Sequence, residues 1–367
     1  MDFKEWLSSN KNSLPDATRE NFEKLYWEFI DFKANEYMLE FKEKKAELLA
    51  QNEQEHQNFI KRHINIWRDG FGLLELLLEL CINQGSKYST SLQQDKDTDT
   101  NNHLQLLIRL HAKACAISNE ILCLLKNGFP DAAHARWRAL HETNVTLHFI
   151  DKHGPKCSEI FLAHEIYDSY YLMMSHKKYE SRLQEKGPSN EEARELTDLF
   201  DKAIKTYGRS FDSQYGWATP FLTDKKHKAS FKSIEKEVKL DHMRPYFKWA
   251  CQNIHVNIKT ITNSLSLPHH LKNVINIGPS NFGLVDPAHA TALSLTQSTC
   301  CLLKNDCNEE NLIFMSLIKQ LSIEIGDTFL SISNSIEKNK NQVRFLMNIL
   351  SINSIDWTLK PNNCLFA

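Results

Sequence analysis

The sequence predicts an all-α fold, a helical bundle with a long helical extension before it. Three observations predict it. Only 11 Gly and 10 Pro occur in 367 residues, too few for the closely spaced turns of a β-sandwich. Apolar residues recur at helical spacing over long runs, and no convincing strand pattern or internal repeat interrupts them. Hydrophobic residues make up 41% and charged residues 25%, enough apolar surface for a sizeable core and too little bias for bulk disorder.

No Gly or Pro lies between Asp16 and Asp69. Ser13-Leu14-Pro15-Asp16 offers a cap with Pro early in the first turn, so one or two long helices follow. Phe22, Leu25, Tyr26, Phe29 and Phe32 give them an aromatic stripe, a face for a partner helix or a second subunit. Gly70 and Gly72 punctuate the chain before the apolar run Leu73 to Leu80, and Gly85 to Asn102 reads as a polar, exposed loop. Leu104 to Lys126 forms the next helix and stops at Asn127-Gly128-Phe129-Pro130. Asp131 caps a helix running to about Asp151, broken by His153-Gly154-Pro155. A helix from Lys156 to Gln184 follows, and Ser189-x-x-Glu192 starts another as a capping box. Tyr207 to Pro220 is irregular. Helical periodicity returns from Met243 to Leu265, from Pro287 to Lys304 after the cap Asp286, and from Glu309 to Ile349. The expected division is 1–84 as extension, 100–350 as bundle and 351–367 as tail.

Several function classes fall away. The 44 basic and 46 acidic residues give a net charge of −2, which argues against a globally basic nucleic-acid binder but leaves a local basic stripe open. The first residues show no apolar stretch behind a basic start, and no apolar window approaches the roughly 20 residues of a spanning helix. No membrane association is therefore expected. The nine cysteines include no C-x-x-C pair and sit in apolar helical context, as reduced thiols of a cytoplasmic protein do. His134, His141 and His148 repeat every seven residues, about 10.5 Å apart along a helix, too far to share one ion. Glu53-x-x-His56 lacks the second such pair of a di-iron bundle. Gly278 to Gly283 lacks the Lys-Ser/Thr of a phosphate loop and reads as a turn. No metal and no cofactor is expected.

The informative segment is Asp131-Ala-Ala-His134-Ala-Arg136-Trp137-Arg138-Ala-Leu-His141-Glu142. Its alanines invite close helix approach, while two arginines, two histidines and a glutamate occupy the same helix. Such side chains must pair with one another or face a cleft. His134, Arg138, His141, Val145 and His148 form one stripe, and Glu142 lies one turn from Arg138. Arg138 is about 60° around the helix from His141 and Arg136 about 140°, so geometry favours Arg138.

Gly128-Phe129-Pro130-Asp131-Ala132 running into Ala135-Arg136-Trp137-Arg138-Ala139-Leu140-His141-Glu142 resembles the hallmark of a helical bacterial family known only as a domain of unknown function. Arg136 and His141, with four residues between them, also fit the Arg-x4–6-His pattern of the HEPN superfamily of nucleotide-binding helical domains. The resemblance spans about residues 100 to 265. It implies a HEPN-like core and a metal-independent endoribonuclease, a toxin or antiphage effector that cuts RNA by 2′-hydroxyl attack. It further implies a homodimer, with an antitoxin or other defence protein as partner. On that reading His141 is the acid/base, Arg136 or Arg138 holds the scissile phosphate, and Glu142 orients one of them. His255, at the end of the Tyr246-to-His255 stretch, adds a second acid/base. By its residues alone the cluster equally forms a structural network, and the chain is then a non-catalytic helical module that binds a protein or a nucleotide.

Overall fold

The computed structural model describes residues 2–9, 19–92, 98–224, 228–255, 258, 264–267 and 275–349. Among them are α-helices and short 3-10 turns, with no strand. The expected tail, 351–367, lies outside the described residues. The chain divides into two compact units, Met1–Arg62 and His63–Ala367. No helix among the described residues is long and apolar enough to cross a membrane.

The first unit holds α1 (Phe3–Ser9) and the 48-residue α2 (Arg19–Ile66) as far as Arg62, the last turn of α2 lying in the second unit. Asp2 and Glu5 cap α1 reciprocally, each backbone N–H donating to the other's carboxylate at 3.1 and 2.9 Å, which satisfies two donors that a helix start leaves free. Phe3 meets Phe22, Tyr26 and Phe29 with ring centroids 5.5, 5.3 and 5.3 Å away. Trp6 lies against Phe29 and Phe32 and is buried. The first turns of the aromatic stripe thus meet α1 within the unit, while Phe22, Tyr26 and Phe32 stay partly exposed.

The second unit is built from α3 (Arg68–Leu92), α4 (Thr98–Lys126), α5 (Pro130–His153), α6 (Pro155–Ala163), α7 (Glu165–Leu183), α8 (Asn190–Tyr207), α9 (Phe231–Glu237), α10 (Arg244–Gln252), α11 (Val285–Leu303) and α12 (Glu309–Ile349). It takes in α3, which the sequence had grouped with the extension. The centre is α11, packed by α3, α4, α5 and α12, while α4 lies along α5 and α7 pairs with α8. Buried hydroxyls on α11 bond to its own backbone one turn back: Thr291 to Pro287 O, Ser298 to Ser294 O and Thr299 to Leu295 O, at 2.6, 2.9 and 2.9 Å. These three hydroxyls on α11 therefore stay buried without unmet donors.

Several boundaries differ from the sequence reading, each for a packing reason. Gly70 and Gly85 lie inside α3 instead of breaking it. A Cβ on Gly85 would stand 2.6 Å from the His111 ring, and one on Gly70 2.8 Å from Phe329. These glycines permit close approach, and the helix continues through the expected polar loop as far as Leu92, with 93–97 outside the described residues. The helix expected from Lys156 to Gln184 is two, because the chain turns at His164, whose buried Nε2–H donates to Ser213 O at 3.0 Å. Asp131 makes no cap bond to its own helix, which starts at Pro130 behind Phe129. Its carboxylate instead accepts from Ser264 Oγ, Leu265 N and Ser266 N at 2.6, 2.8 and 3.2 Å. The Ser189/Glu192 capping box forms as expected, and 207–220 resolves into two 3-10 turns, Arg209–Phe211 and Gly216–Phe221. Trp217 in the second turn is buried against Phe149 and Phe161.

Candidate functional site

Helix α5 carries the segment that the sequence singled out. Its inner face buries Ala133, His134, Trp137, Leu140, His141, Asn144 and Val145. The alanine lets α11 approach, and Trp137 Nε1–H donates to both Ala290 O and Ser294 Oγ at 3.0 Å. One turn on, Asn144 Nδ2 donates to Gln297 Oε1 at 2.7 Å and Asn144 Oδ1 accepts from Ser298 Oγ at 2.9 Å. These bonds fix the rotation of α5 about its axis, and that rotation decides which motif residues meet.

Arg138, His141 and Glu142 meet; Arg136 and His255 lie elsewhere. Arg138 Nη2 donates to Glu142 Oε1 at 2.8 Å, an i, i+4 pair whose two side chains are each about one third exposed. His141 is fully buried and lies over Trp137, ring centroids 5.4 Å apart. Its Nε2 stands 3.0 Å from Glu235 Oε1. Since the partner is a carboxylate, Nε2 carries the proton, and Nδ1 is buried without a partner. Arg136 points to α4 and pairs with Glu120. His255 lies on an exposed bend three residues past the end of α10, and Val256 and Asn257 lie outside the described residues.

The residues that complete the cluster come from α9 and α10. Glu235 on α9 is fully buried. It takes His141 on one carboxylate oxygen and an ion pair with Arg244 Nη1 on the other, at 3.0 Å. The guanidiniums of Arg138 and Arg244 lie 5.2 and 5.4 Å from the Phe247 ring centroid, so α10 contributes both a cation and the ring between two cations. Phe231 and Phe247 pack on His141. Burial raises the Glu142 carboxyl above its ordinary value against the opposing pull of Arg138, and burial also raises the neighbouring Tyr215 phenol and Cys251 thiol. Glu235, Arg244 and Phe247 were not among the residues selected from sequence. A signal existed: Phe231, Ile234, Glu235 and Val238 form one apolar stripe at helical spacing with an acid inside it, which marks a buried carboxylate with a partner.

The other motif histidines are also core residues. His134 is fully buried between Trp137 and Trp249, with both ring nitrogens unpartnered and its pKa pushed down to about 4 by burial. His148 Nδ1–H donates to Asn144 O at 2.9 Å. It lines a cavity of about 690 Å³ together with Thr296, Gln297, Cys300, Lys304 and Lys319, a volume in the range of small-molecule sites. Among the described residues no group of three or more His, Cys, Asp or Glu is placed to hold a metal ion.

Chemically, the cluster balances charge. Two guanidiniums face two carboxylates, with the imidazole Nε2–H donating to one of them, and the solvent-facing rim is Arg138, Glu142 and Arg244. No curated protein and no solved structure matches the chain. One family does: over residues 104–270, which hold α5, Glu235 and Arg244, the chain matches the model of a family of unknown function, DUF5677.

Proposed function

We propose that the chain is a non-catalytic helical binding module whose Arg/His/Glu network is structural. One observation carries this reading: His141 is fully buried and its Nε2–H is committed to Glu235, itself fully buried. A general base needs hydrogen-bond reach to the proton it takes, and this imidazole is enclosed by Trp137, Phe231 and Phe247. The network instead ties α5, α9 and α10 together through a buried charge-balanced set. Of the two ligand classes such a module takes, a nucleotide is favoured by the cavity beside His148, which is lined by Lys319, by Ser316 and by Lys304, itself paired with Asp151.

A second reading, the HEPN-like metal-independent endoribonuclease acting in defence, is supported by a different observation. Arg138, Glu142 and Arg244 keep 29, 33 and 21% of their side-chain surface exposed, so two guanidiniums reach solvent where a phosphate would sit. The two readings separate in one experiment. Purified wild type and His141→Ala are incubated with RNA in EDTA, and their unfolding midpoints are measured alongside. The structural reading expects intact RNA with both proteins and a lowered midpoint for the variant. RNA cut by the wild type and spared by a folded His141→Ala would overturn it in favour of the nuclease.

A further inference from the structure

A hydroxyl buried on a helix commonly bonds back to the carbonyl one turn earlier, and Ser118, Thr291, Ser298 and Thr299 all do so. Ser158, buried in the first turn of α6, does not. The Gly154 carbonyl four residues back is taken by the backbone N–H groups of Cys157 and Ser158, at 3.0 and 3.2 Å. The Ser158 hydroxyl instead meets Nδ1 of His103, a buried residue of α4, at 2.6 Å. It has no other acceptor among the described residues, so Oγ–H donates and Nδ1 accepts. The ring proton is then on Nε2. Burial holds the His103 pKa below its ordinary value, against the weaker pull of Asp151. The imidazole is therefore neutral near pH 7 and keeps its Nδ1 lone pair on the serine.

Ser158 and His103 line a cavity of about 430 Å³ together with Asn102, Pro155, Lys156, Glu159 and Leu162, a volume that holds a small molecule. A hydroxyl bonded to a neutral imidazole at the wall of a cavity is the arrangement that activates a serine as a nucleophile. The rest of the lining selects the electrophile. Lys156 Nζ is held by both oxygens of Glu159, at 2.8 and 2.7 Å, so no cation of the lining is left for a phosphate. That lysine also holds the Glu159 carboxyl below its ordinary value, and the resulting negative charge repels a phosphate further. Pro155 and Leu162 add apolar wall. A neutral carbonyl suits this cavity. We propose that Ser158 is an acylation site, its Oγ taking the acyl group of an activated ester with His103 as the base. Oγ bonds to the carbonyl carbon while its proton passes to Nδ1. The bond from that carbon to the leaving oxygen then breaks, the electron pair departs with the oxygen, and the proton follows it. Asn102, whose side-chain amide makes no hydrogen bond among the described residues, is the donor at the cavity for charge growing on the carbonyl oxygen. The site uses α4 and α6 and is independent of the α5 network.

The full chain is treated with p-nitrophenyl acetate beside Ser158→Ala and His103→Gln, and peptide fragment masses locate the acetyl group on Ser158 or on Lys156. Glutamine keeps an oxygen that accepts from the Ser158 hydroxyl but cannot take its proton. The wild type is expected to carry an acetyl group on Ser158, and Ser158→Ala none at that position. In His103→Gln acetylation of Ser158 should slow by roughly 100-fold or more, with the unfolding midpoint retained. A folded wild type whose Ser158 stays unmodified under excess reagent overturns the proposal. Acetylation at the wild-type rate in folded His103→Gln overturns it too, since the imidazole is then only a structural partner. If His103→Gln fails to fold, the pH profile of the wild type decides. A rate at Ser158 that levels off by neutral pH, once the imidazole has lost its proton, upholds the proposal. A rate that keeps climbing with hydroxide above neutral pH overturns it.

Discussion

Glu235 holds His141 with one oxygen and Arg244 with the other; Glu235 and His141 are fully buried, with His141 against the Phe231 and Phe247 rings, while Arg244 reaches the solvent-facing rim. Removing one member of such a set leaves the rest charged or polar without partners, and that desolvation cost exceeds the value of the pair itself. Glu235→Ala is therefore expected to cost roughly 3–5 kcal/mol of unfolding free energy, measured by urea denaturation. Arg136 is the contrast on α5. Its pair with Glu120 is solvent-exposed, and Arg136→Ala should cost under about 1 kcal/mol. Comparable losses in the two variants would mean that the buried cluster is not what ties α9 and α10 to α5. Residue chemistry was partly legible beforehand: Arg138, His141 and Glu142 were selected for being costly side chains on an alanine-rich helix. Arg136 was selected by a spacing pattern that does not register which face a side chain occupies.

At the scale of elements, what decides boundaries is contact across the bundle. Gly85 illustrates it, since glycine in a sequence signals a break while here the missing Cβ makes room for His111, whose Nε2 stands 2.9 Å from Thr299 Oγ1 on α11. Gly85→Ala adds helix propensity but drives a methyl into a ring that cannot retreat without losing that bond. A net loss of about 1–3 kcal/mol is expected, and a gain in stability would show that α3 has room to shift. At the start of α8 the reverse holds: Ser189 and Glu192 read as a capping box and form one, because a cap depends on residues three apart. Ser189→Ala should cost about 1 kcal/mol, seen as a lower unfolding midpoint with the fold unchanged. The local signal survived here, whereas at Asp131 tertiary partners at 264–266 took the carboxylate that the sequence read as a cap.

Across the whole molecule, the second unit buries many imidazoles. Burial pushes His111 and His134 down to about 4, and it also lowers His103, His148, His164 and His289. Each is neutral when folded and free to take a proton when unfolded, so between roughly pH 6.5 and 4 the unfolded chain binds more protons and stability falls as pH falls. The slope is at most about 1.4 kcal/mol per pH unit for each group. His111→Gln should flatten the stability-against-pH curve in that window, and an unchanged slope would mean that this imidazole titrates normally in the fold. The sequence by itself determined the helical class, the Ser189/Glu192 cap and the segment that mattered, because helical period and composition are written in residues a few positions apart; the caps expected at Asp131 and Asp286 did not form, and Phe129 and Leu284 stand at those N-caps. Only the tertiary structure decided that His141 faces a buried Glu235, 94 positions away, and that Arg136 faces α4. The partners of a buried charge are set by which helices touch, and no periodicity within one helix encodes that.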